Sequence, residues 1–431
     1  MTILKAVRGT RDLLPPETAL WNRIEATARA VFARYNFGEI RTPVFEDTAL
    51  FARGVGEETD IVSKEMYTWE DRGRAQSEKT QSLTLRPENT AGVVRAYIEH
   101  GLGESGLLQK LYYIGPQFRR ERPQKGRYRQ FSQIGAEVIG PPSSGSESPL
   151  RDAEVLEMLA TLLDELGISG WTLELNSVGS PADRARYNET LRAALAPVVV
   201  QMCADCQRRA VTNPLRVLDC KVPADQPIIE TLPVNADSLD EASKAHFAQV
   251  LAALDAAAVP YTLNHRLVRG LDYYTRTTFE FTHGGLGAQN ALLGGGRYDG
   301  LSEAIGGPKA PGIGFAMGLD RLVLTLQAKE LDEKSAPPQM VADAFIAPLG
   351  ENLNAAALVL ARELRYKGLW IELGEGSFRL KKSFEAADKT ARRIVILGED
   401  ELQSGILTVK TFATGIQTKV PRAELAVFLS Q

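Results

Sequence analysis

The residues predict an α+β fold in which a largely antiparallel sheet is flanked by helices, carries a helical insertion and is followed by a smaller α/β domain. Three observations carry this reading. Residues 110–118 (KLYYIGPQF) and 129–140 (RQFSQIGAEVIG) are strand-like and bracket a charged, glycine-containing stretch, which makes a hairpin with a long basic loop. Helical and strand patterns before residue 327 do not alternate as regular βαβ units, which disfavours a parallel sheet there. Beyond residue 340 they do alternate.

The first helix is expected over 17–37, where Leu20, Trp21, Ile24, Ala28, Val31, Phe32 and Tyr35 share one face behind Pro15 and Pro16. After the basic hairpin, residues 152–166 form a second amphipathic helix, with Asp152 as its expected N-cap and Gly167 as its stop. WTLEL (171–175) and TRTTFEFT (275–282) are further strands. Residues 181–262, alanine-rich and mostly helical, read as a subdomain inserted into a domain spanning 1–327. A polar, proline-bearing linker follows at 328–340. Over 341–431, VADAFIAPL, a helix near 352–367, GLWIEL, a helix near 377–390 and RRIVILG describe a small α/β domain with a parallel core.

Composition narrows the function classes. A chain of 431 residues, 44% hydrophobic and 24% charged, buries a core without disulfide staples, so disorder is excluded. No apolar run of about 18 residues predicts a membrane span, and the N-terminus lacks a signal-peptide core. Three cysteines make no disulfide framework, which points to a reducing cytoplasm. The net charge of −4 supplies no global attraction for nucleic acid, so any such site must be a local basic patch.

The strongest local signal is FRRERPQKGRYRQF. Arg119, Arg120, Arg122, Lys125, Arg127 and Arg129 face a single acid, Glu121, and such a cluster repels itself unless an anion is present. Arg119 for phosphate, Glu121 for Mg²⁺ and Phe131 for stacking a base would together make an ATP site, against the plainer reading of a solvated basic hairpin. LTLRPENTAG (83–92) places Glu88 and Thr90 around a turn, and LVRGLDYYTRTTFEF (267–281) sets Arg269 beside a glycine and near Tyr273 and Tyr274. ALLGGGRYDGL (291–301) has three consecutive glycines, suited to close approach of a ligand, and GIGFAMGLDRLVLTL (312–326) runs a glycine-rich strand into a helix bearing Arg321. Gly101, Gly103 and Gly106 fit GxGxxG but follow a helix and precede a strand, the wrong context for a dinucleotide, so they read as a loop.

Together these segments resemble the class II aminoacyl-tRNA synthetases, and within them the histidine-specific family. FRRERPQKGRYRQF is similar to the second motif of the class and GIGFAMGLDRL to the third, while RGLDYYTRTTFEF and GGGRYDGL are similar to the two signatures of the histidine enzymes. The resemblance runs from GTRDLLP (9–15) through the last domain, and implies a six-stranded antiparallel sheet and an anticodon-binding role for 341–431. It further implies that ATP, Mg²⁺, histidine and the histidine tRNA are the partners, that the protein is a homodimer, and that Arg119 contacts the α-phosphate. Glu121 would bind magnesium, Phe131 and Arg321 would sandwich adenine, and Arg127 would reach the terminal phosphates. Glu88, Thr90 and Gln133 would hold the α-amino group, Glu137 and Tyr274 the imidazole nitrogens with Tyr273 nearby, and Arg269 would lie between the histidine carboxylate and the α-phosphate.

Three departures from the family pattern stand out: Asn89 where glycine is usual, which would narrow the amino-acid pocket; Asp320 where glutamate is commoner; and Arg120 where histidine often stands. Cys203, Cys206 and Cys220 make three quarters of a zinc ribbon, but no fourth cysteine exists and only His100, His246, His265 or His283 would complete it, so no zinc site is assigned. In the last domain Arg379, Lys381, Lys382, Lys389, Arg392 and Arg393 form a basic run, either a solvated helix face or a tRNA-backbone contact, with Lys381 and Lys382 as its first candidates. Two alternatives to a ligase stay open. A histidine-sensing regulatory paralogue of ATP phosphoribosyltransferase would typically lack 341–431 and the ATP arginines, both of which are present here; an RNA-binding accessory factor has only fold analogy behind it.

Overall fold

A computed structural model describes residues 3–57, 59–71, 80–124, 126–286, 290–332 and 341–431; Lys125 and linker residues 333–340 lie outside them. The chain forms two compact units, Met1–Ser335 and Ala336–Gln431.

The strands of the first unit are β1 (Gly38–Glu39), β2 (Phe45–Asp47), β3 (Tyr67–Asp71), β4 (Gln81–Leu85), β5 (Gln109–Phe118), β6 (Gln130–Ile139), β7 (Trp171–Ser177), β8 (Thr262–Leu263), β9 (Thr275–His283), β10 (Ala291–Arg297) and β11 (Gly312–Gly318). Eight of them make one sheet in the order β1-β5-β6-β11-β10-β9-β7-β8, and β2-β4-β3 make a second. The six inner strands of the large sheet pair antiparallel throughout. The two-residue edges β1 and β8 add on in parallel and extend the six strands that the motifs imply. The predicted hairpin is β5–β6, in unbroken register from Gln109↔Ile139 to Phe118↔Gln130.

Helix α1 (Glu17–Arg34) buries Leu20, Trp21, Ile24, Ala28, Val31 and Phe32, the stripe that its periodicity predicts. Helices α2 (Thr48–Val55) and α3 (Thr90–Glu99) follow, and Gly101, Gly103 and Gly106 lie in the turns between α3 and β5. Helix α4 (Pro149–Glu165) begins earlier than expected, because Ser148 rather than Asp152 caps it, accepting from the Leu150 amide. Asp152 instead sits fully buried and accepts from Arg297 Nε at 2.9 Å. Arg297, equally buried, also donates to Asp299 at 2.7 Å and to the Ser146 carbonyl. A carboxylate whose partner lies 145 residues away cannot be told from a cap by its neighbours alone.

In the inserted segment, α5 (Pro181–Leu195), α6 (Ala204–Thr212) and α7 (Gln226–Glu230) surround a small core containing Tyr187, Leu191, Met202, Val217 and Ile229. Helix α8 (Glu241–Ala256) turns back and places Val250 and Leu254 in the main core under the large sheet. After the short α9 (Leu301–Ala304), strand β11 runs straight into α10 (Leu319–Asp332).

The second unit has β12 (Ala344–Pro348), α11 (Asn354–Tyr366), β13 (Ile371–Leu373), α12 (Leu380–Thr390), β14 (Arg393–Leu397), β15 (Ile406–Thr411) and β16 (Gln417–Pro421), with sheet order β13-β12-β14-β15-β16. The first three strands are parallel, as their apolar runs predict. The antiparallel pair β15–β16 extends this core, with Leu407, Val409 and Val420 packed inward.

Candidate active site

The centre of the large sheet is floored by glycine, and that is what makes room for the site. A Cβ on Gly314 of β11 would lie 1.7 Å from Glu137 Oε2, and one on Gly294 of β10 would lie 2.4 Å from Arg269 Cζ. At Gly296 a Cβ would meet the Tyr274 ring at 2.8 Å. Gly294, Gly296 and Gly314 therefore admit the side chains of Arg269, Tyr274 and Glu137 close against the sheet.

Over one part of this floor lies a buried polar cluster. Glu137 on β6 is wholly buried, and its Oε1 accepts the Thr90 hydroxyl at 2.7 Å. Its Oε2 meets no full hydrogen bond among the described residues, and the Tyr298 hydroxyl lies alongside equally unmatched. Burial pushes the Glu137 carboxyl up to about 8, with the charge of Glu88 adding to the effect against the Thr90 and Tyr298 hydroxyls. Glu88 is buried too, and its carboxylate accepts the amides of Thr90 at 2.7 Å and Ala91 at 3.0 Å, which caps α3. Burial raises its pKa while those amides hold it back. Gln133, on the same strand as Glu137, leaves its buried Oε1 without a partner. Tyr274 is buried with its ring centroid 4.8 Å from that of Tyr273, whose other face meets Tyr298 at 6.0 Å. Orphaned acceptors and hydroxyls in one buried cluster are groups waiting for a polar ligand.

Next to this cluster is a cationic shelf. Arg119 is fixed by donating Nε to the Pro87 carbonyl at 2.9 Å, and its guanidinium lies 5.3 Å from the Phe131 ring centroid. Glu121 accepts from Arg127 at 3.0 Å and lies 3.8 Å from Arg119. Arg269 donates to Glu280 at 2.6 Å, and its buried Nε has no partner among the described residues. Arg321, in the first turn of α10, donates to the Ala291 carbonyl at 2.6 Å. Burial lowers its pKa, Arg127 lowers it further, and Glu280 and Glu121 restore part of the loss, so these charges share one cleft. Burial and the charge of Glu121 also raise the Glu65 carboxyl. Glu65 and Glu121 offer carboxylate oxygens to the same cleft, donors of the kind Mg²⁺ takes.

Glu88, Thr90, Gln133, Glu137, Tyr273 and Tyr274 belong to the polar cluster, and Arg119, Glu121, Arg127, Phe131, Arg269 and Arg321 to the cationic shelf beside it. Lys381 and Lys382 belong to the second unit, where both lie exposed in the first turn of α12, with Lys382 Nζ 3.7 Å from the Phe378 ring centroid. Two departures resolve locally. Asn89 accepts the Thr42 hydroxyl at 2.6 Å, and Asp320 accepts from Arg11 at 3.0 Å. Tyr113, whose buried hydroxyl is unpaired beside Glu137 and Glu88, and Glu280 were not singled out by sequence. Only strand pairing brings them in, through the contact of the Tyr113 ring with Gly135 and of Glu280 with Arg269.

A six-stranded antiparallel sheet carrying an arginine–phenylalanine shelf beside a buried polar cluster is the arrangement of a class II aminoacyl-tRNA synthetase catalytic domain. A family model described as histidyl-tRNA synthetase matches residues 9–322, and one described as an anticodon-binding domain matches 343–431. The chain is 72% identical to a histidine–tRNA ligase of Koribacter versatilis over 99% of its length and 96% of that protein's. It is 55% identical to that of Solibacter usitatus, covering 99% of both. The crystal structure of apo Staphylococcus aureus histidyl-tRNA synthetase superposes with a TM-score of 0.80 at 37% identity, over 100% of both chains. The chain belongs to the histidyl-tRNA synthetase family.

Proposed function

We propose that this chain is a histidine–tRNA ligase whose two patches hold the two substrates of activation, histidine in the pocket and ATP on the shelf. The observation that carries the reading is Glu137: a buried carboxyl with one oxygen bound to Thr90 and the other unmatched, beside the unpaired hydroxyls of Tyr113 and Tyr298. An imidazole has a nitrogen on each side, and Glu137 and Tyr274 would address both. Glu88, Thr90 and Gln133 would take the α-amino group, with Tyr273 closing the side.

On the shelf, Phe131 and Arg321 would enclose adenine and Arg127 would take the terminal phosphates. Glu121, with Glu65 behind it, would hold Mg²⁺, which screens phosphate charge when bound. The histidine carboxylate then attacks the α-phosphorus, the P–O bond to pyrophosphate breaks, and histidyl-adenylate forms. Negative charge grows on the phosphoryl oxygens during this step, and Arg119 and Arg269 are the fixed cations placed to meet it. Such chemistry needs no protein nucleophile. The tRNA 3′ hydroxyl next displaces AMP, while residues 341–431 would bind the anticodon arm through the basic run that includes Lys381 and Lys382. We further propose a cytoplasmic homodimer, to which the exposed Phe45–Trp69 pair on the β2-β4-β3 sheet, with ring centroids 6.0 Å apart, would contribute apolar surface.

The test is single-turnover charging. Purified chain, ATP, labelled histidine and a histidine-tRNA transcript should give label on the tRNA 3′ end. Charging no faster than in enzyme-free controls would refute the assignment, and charging without added ATP would refute the proposed route.

A further inference from the structure

The inserted subdomain brings together what its cysteine spacing left incomplete. Cys203 caps α6, Cys206 sits in its first turn, Cys220 follows the turn over Pro214–Val217, and Asp225 ends the turn over Pro223–Asp225. One ligand atom from each of these four lies within 4.8 Å of every other. No histidine joins them. The fourth donor is a carboxylate, and an aspartate five residues past the last cysteine belongs to no zinc-ribbon spacing.

We propose that Cys203, Cys206, Cys220 and Asp225 form a structural tetrahedral site for one Zn²⁺. The distances suit the ion. Zinc–sulfur bonds of about 2.3 Å and a zinc–oxygen bond of about 2.0 Å put tetrahedral S···S and S···O separations near 3.8 and 3.5 Å. The Cys203–Cys220 sulfurs stand 3.9 Å apart, and Cys220 Sγ lies 3.2 Å from Asp225 Oδ2. A disulfide would need about 2.05 Å and would strand the third thiol. The supporting contacts suit it as well. The Val222 amide donates to Cys220 Sγ at 3.4 Å, and the Cys203 amide donates to both Asp225 oxygens at 3.1 and 3.2 Å. Asp225 is 1% exposed, with no Lys or Arg paired to it among the described residues, so its charge lacks the cation that burial demands.

All four ligands come from the protein, which marks the site as structural, not catalytic. Its place explains its use. The small core of the insertion holds few large side chains, and small cores gain most from a metal staple. The loop closed between Cys206 and Cys220 also carries Asn213, which donates to Asp272 at 3.0 Å, and Arg216, which donates to the Arg269 carbonyl at 3.2 Å. The metal would therefore steady the segment behind Arg269.

The experiment is metal analysis of the full chain purified with zinc present and chelator absent, followed by Co²⁺ loading of the chelator-stripped protein. About one zinc per chain is expected, and Co²⁺ should give thiolate charge-transfer and intense tetrahedral ligand-field bands. Asp225→Asn, the variant least disruptive to packing, should weaken Zn²⁺ binding by at least about 10–100-fold, since outer-sphere losses alone reach that range. Zinc-free protein that shows no cobalt bands would overturn the proposal, as would a Cys203–Cys220 disulfide in freshly purified chain. Unchanged affinity in Asp225→Asn would remove the carboxylate from the site.

Discussion

Glu137 holds a proton where an ordinary carboxylate would not, and that makes its role measurable in two ways. Its pKa rises from near 4.5 when unfolded to about 8 in the fold, so the stability of the neutral form is complete below 4.5 and is lost as pH rises through 8. Glu137→Gln removes that loss, so its melting temperature relative to the parent should climb between pH 5 and pH 9 by scanning calorimetry; a constant difference would show that Glu137 is ionised throughout. The same variant should raise KM for histidine far more than KM for ATP, because a buried pocket that loses its partner discriminates by up to about 10⁴. Arg269 makes a different prediction. Arg269→Ala should lower kcat for pyrophosphate exchange by about 10²–10³ with a smaller change in KM, as expected of a charge used mainly in the transition state. Near-parental kcat in the folded variant would remove Arg269 from that role. At this scale the sequence was legible where motifs are contiguous: Arg119, Glu121 and Phe131 sit on one hairpin, with the Arg119 guanidinium 5.3 Å from the Phe131 ring centroid. Tyr113 and Glu280 were not, because one tyrosine or glutamate in a strand shows no preference between site and core until its neighbours are paired.

The glycine-rich strands β10 and β11 are the element on which the site depends. Gly294→Ala drives a methyl group into the Arg269 guanidinium, the far end of a flexible side chain, so the fold should survive while Arg269 is displaced from Glu280. Pyrophosphate exchange should then fall at least about tenfold, towards the Arg269→Ala value, with unchanged circular dichroism; full activity would mean the floor tolerates a Cβ. The elements themselves were largely readable. Period 3.6 in α1 and the two runs around the basic loop reflect burial on one face, which sequence records directly. Sequence offers Asp152 as the N-cap of α4, but Asp152 answers to Arg297 across the fold, and the short alternation of β15–β16 is hidden among exposed, polar positions. The meaning of the glycine triplet also shifted. Small residues announce close approach, but only the packed sheet reveals that Arg269 and Tyr274 do the approaching.

Two units with separate cores imply two separable tasks. Residues 336–431 enclose their own core, from Ala344 and Ile346 to Leu425 and Leu429, and should fold when expressed alone. Their 12 Lys/Arg against 11 Asp/Glu leave little net attraction, so tRNA affinity must come from one face. Neutralising Lys381 and Lys382 should weaken tRNA binding and flatten its salt dependence by roughly one unit per lost phosphate contact, seen by filter binding across a salt series. An unchanged slope would place the tRNA contact elsewhere. Histidine activation should not notice the change, since every residue assigned to it lies between Glu65 and Arg321. ATP–pyrophosphate exchange by the full chain, run with each of the twenty amino acids in turn, shows whether this cleft activates histidine and no other. Exchange should depend on histidine, fall by about 10²–10³ in Arg269→Ala and need no tRNA; exchange with a different amino acid, or none with histidine from folded protein, would contradict the assignment.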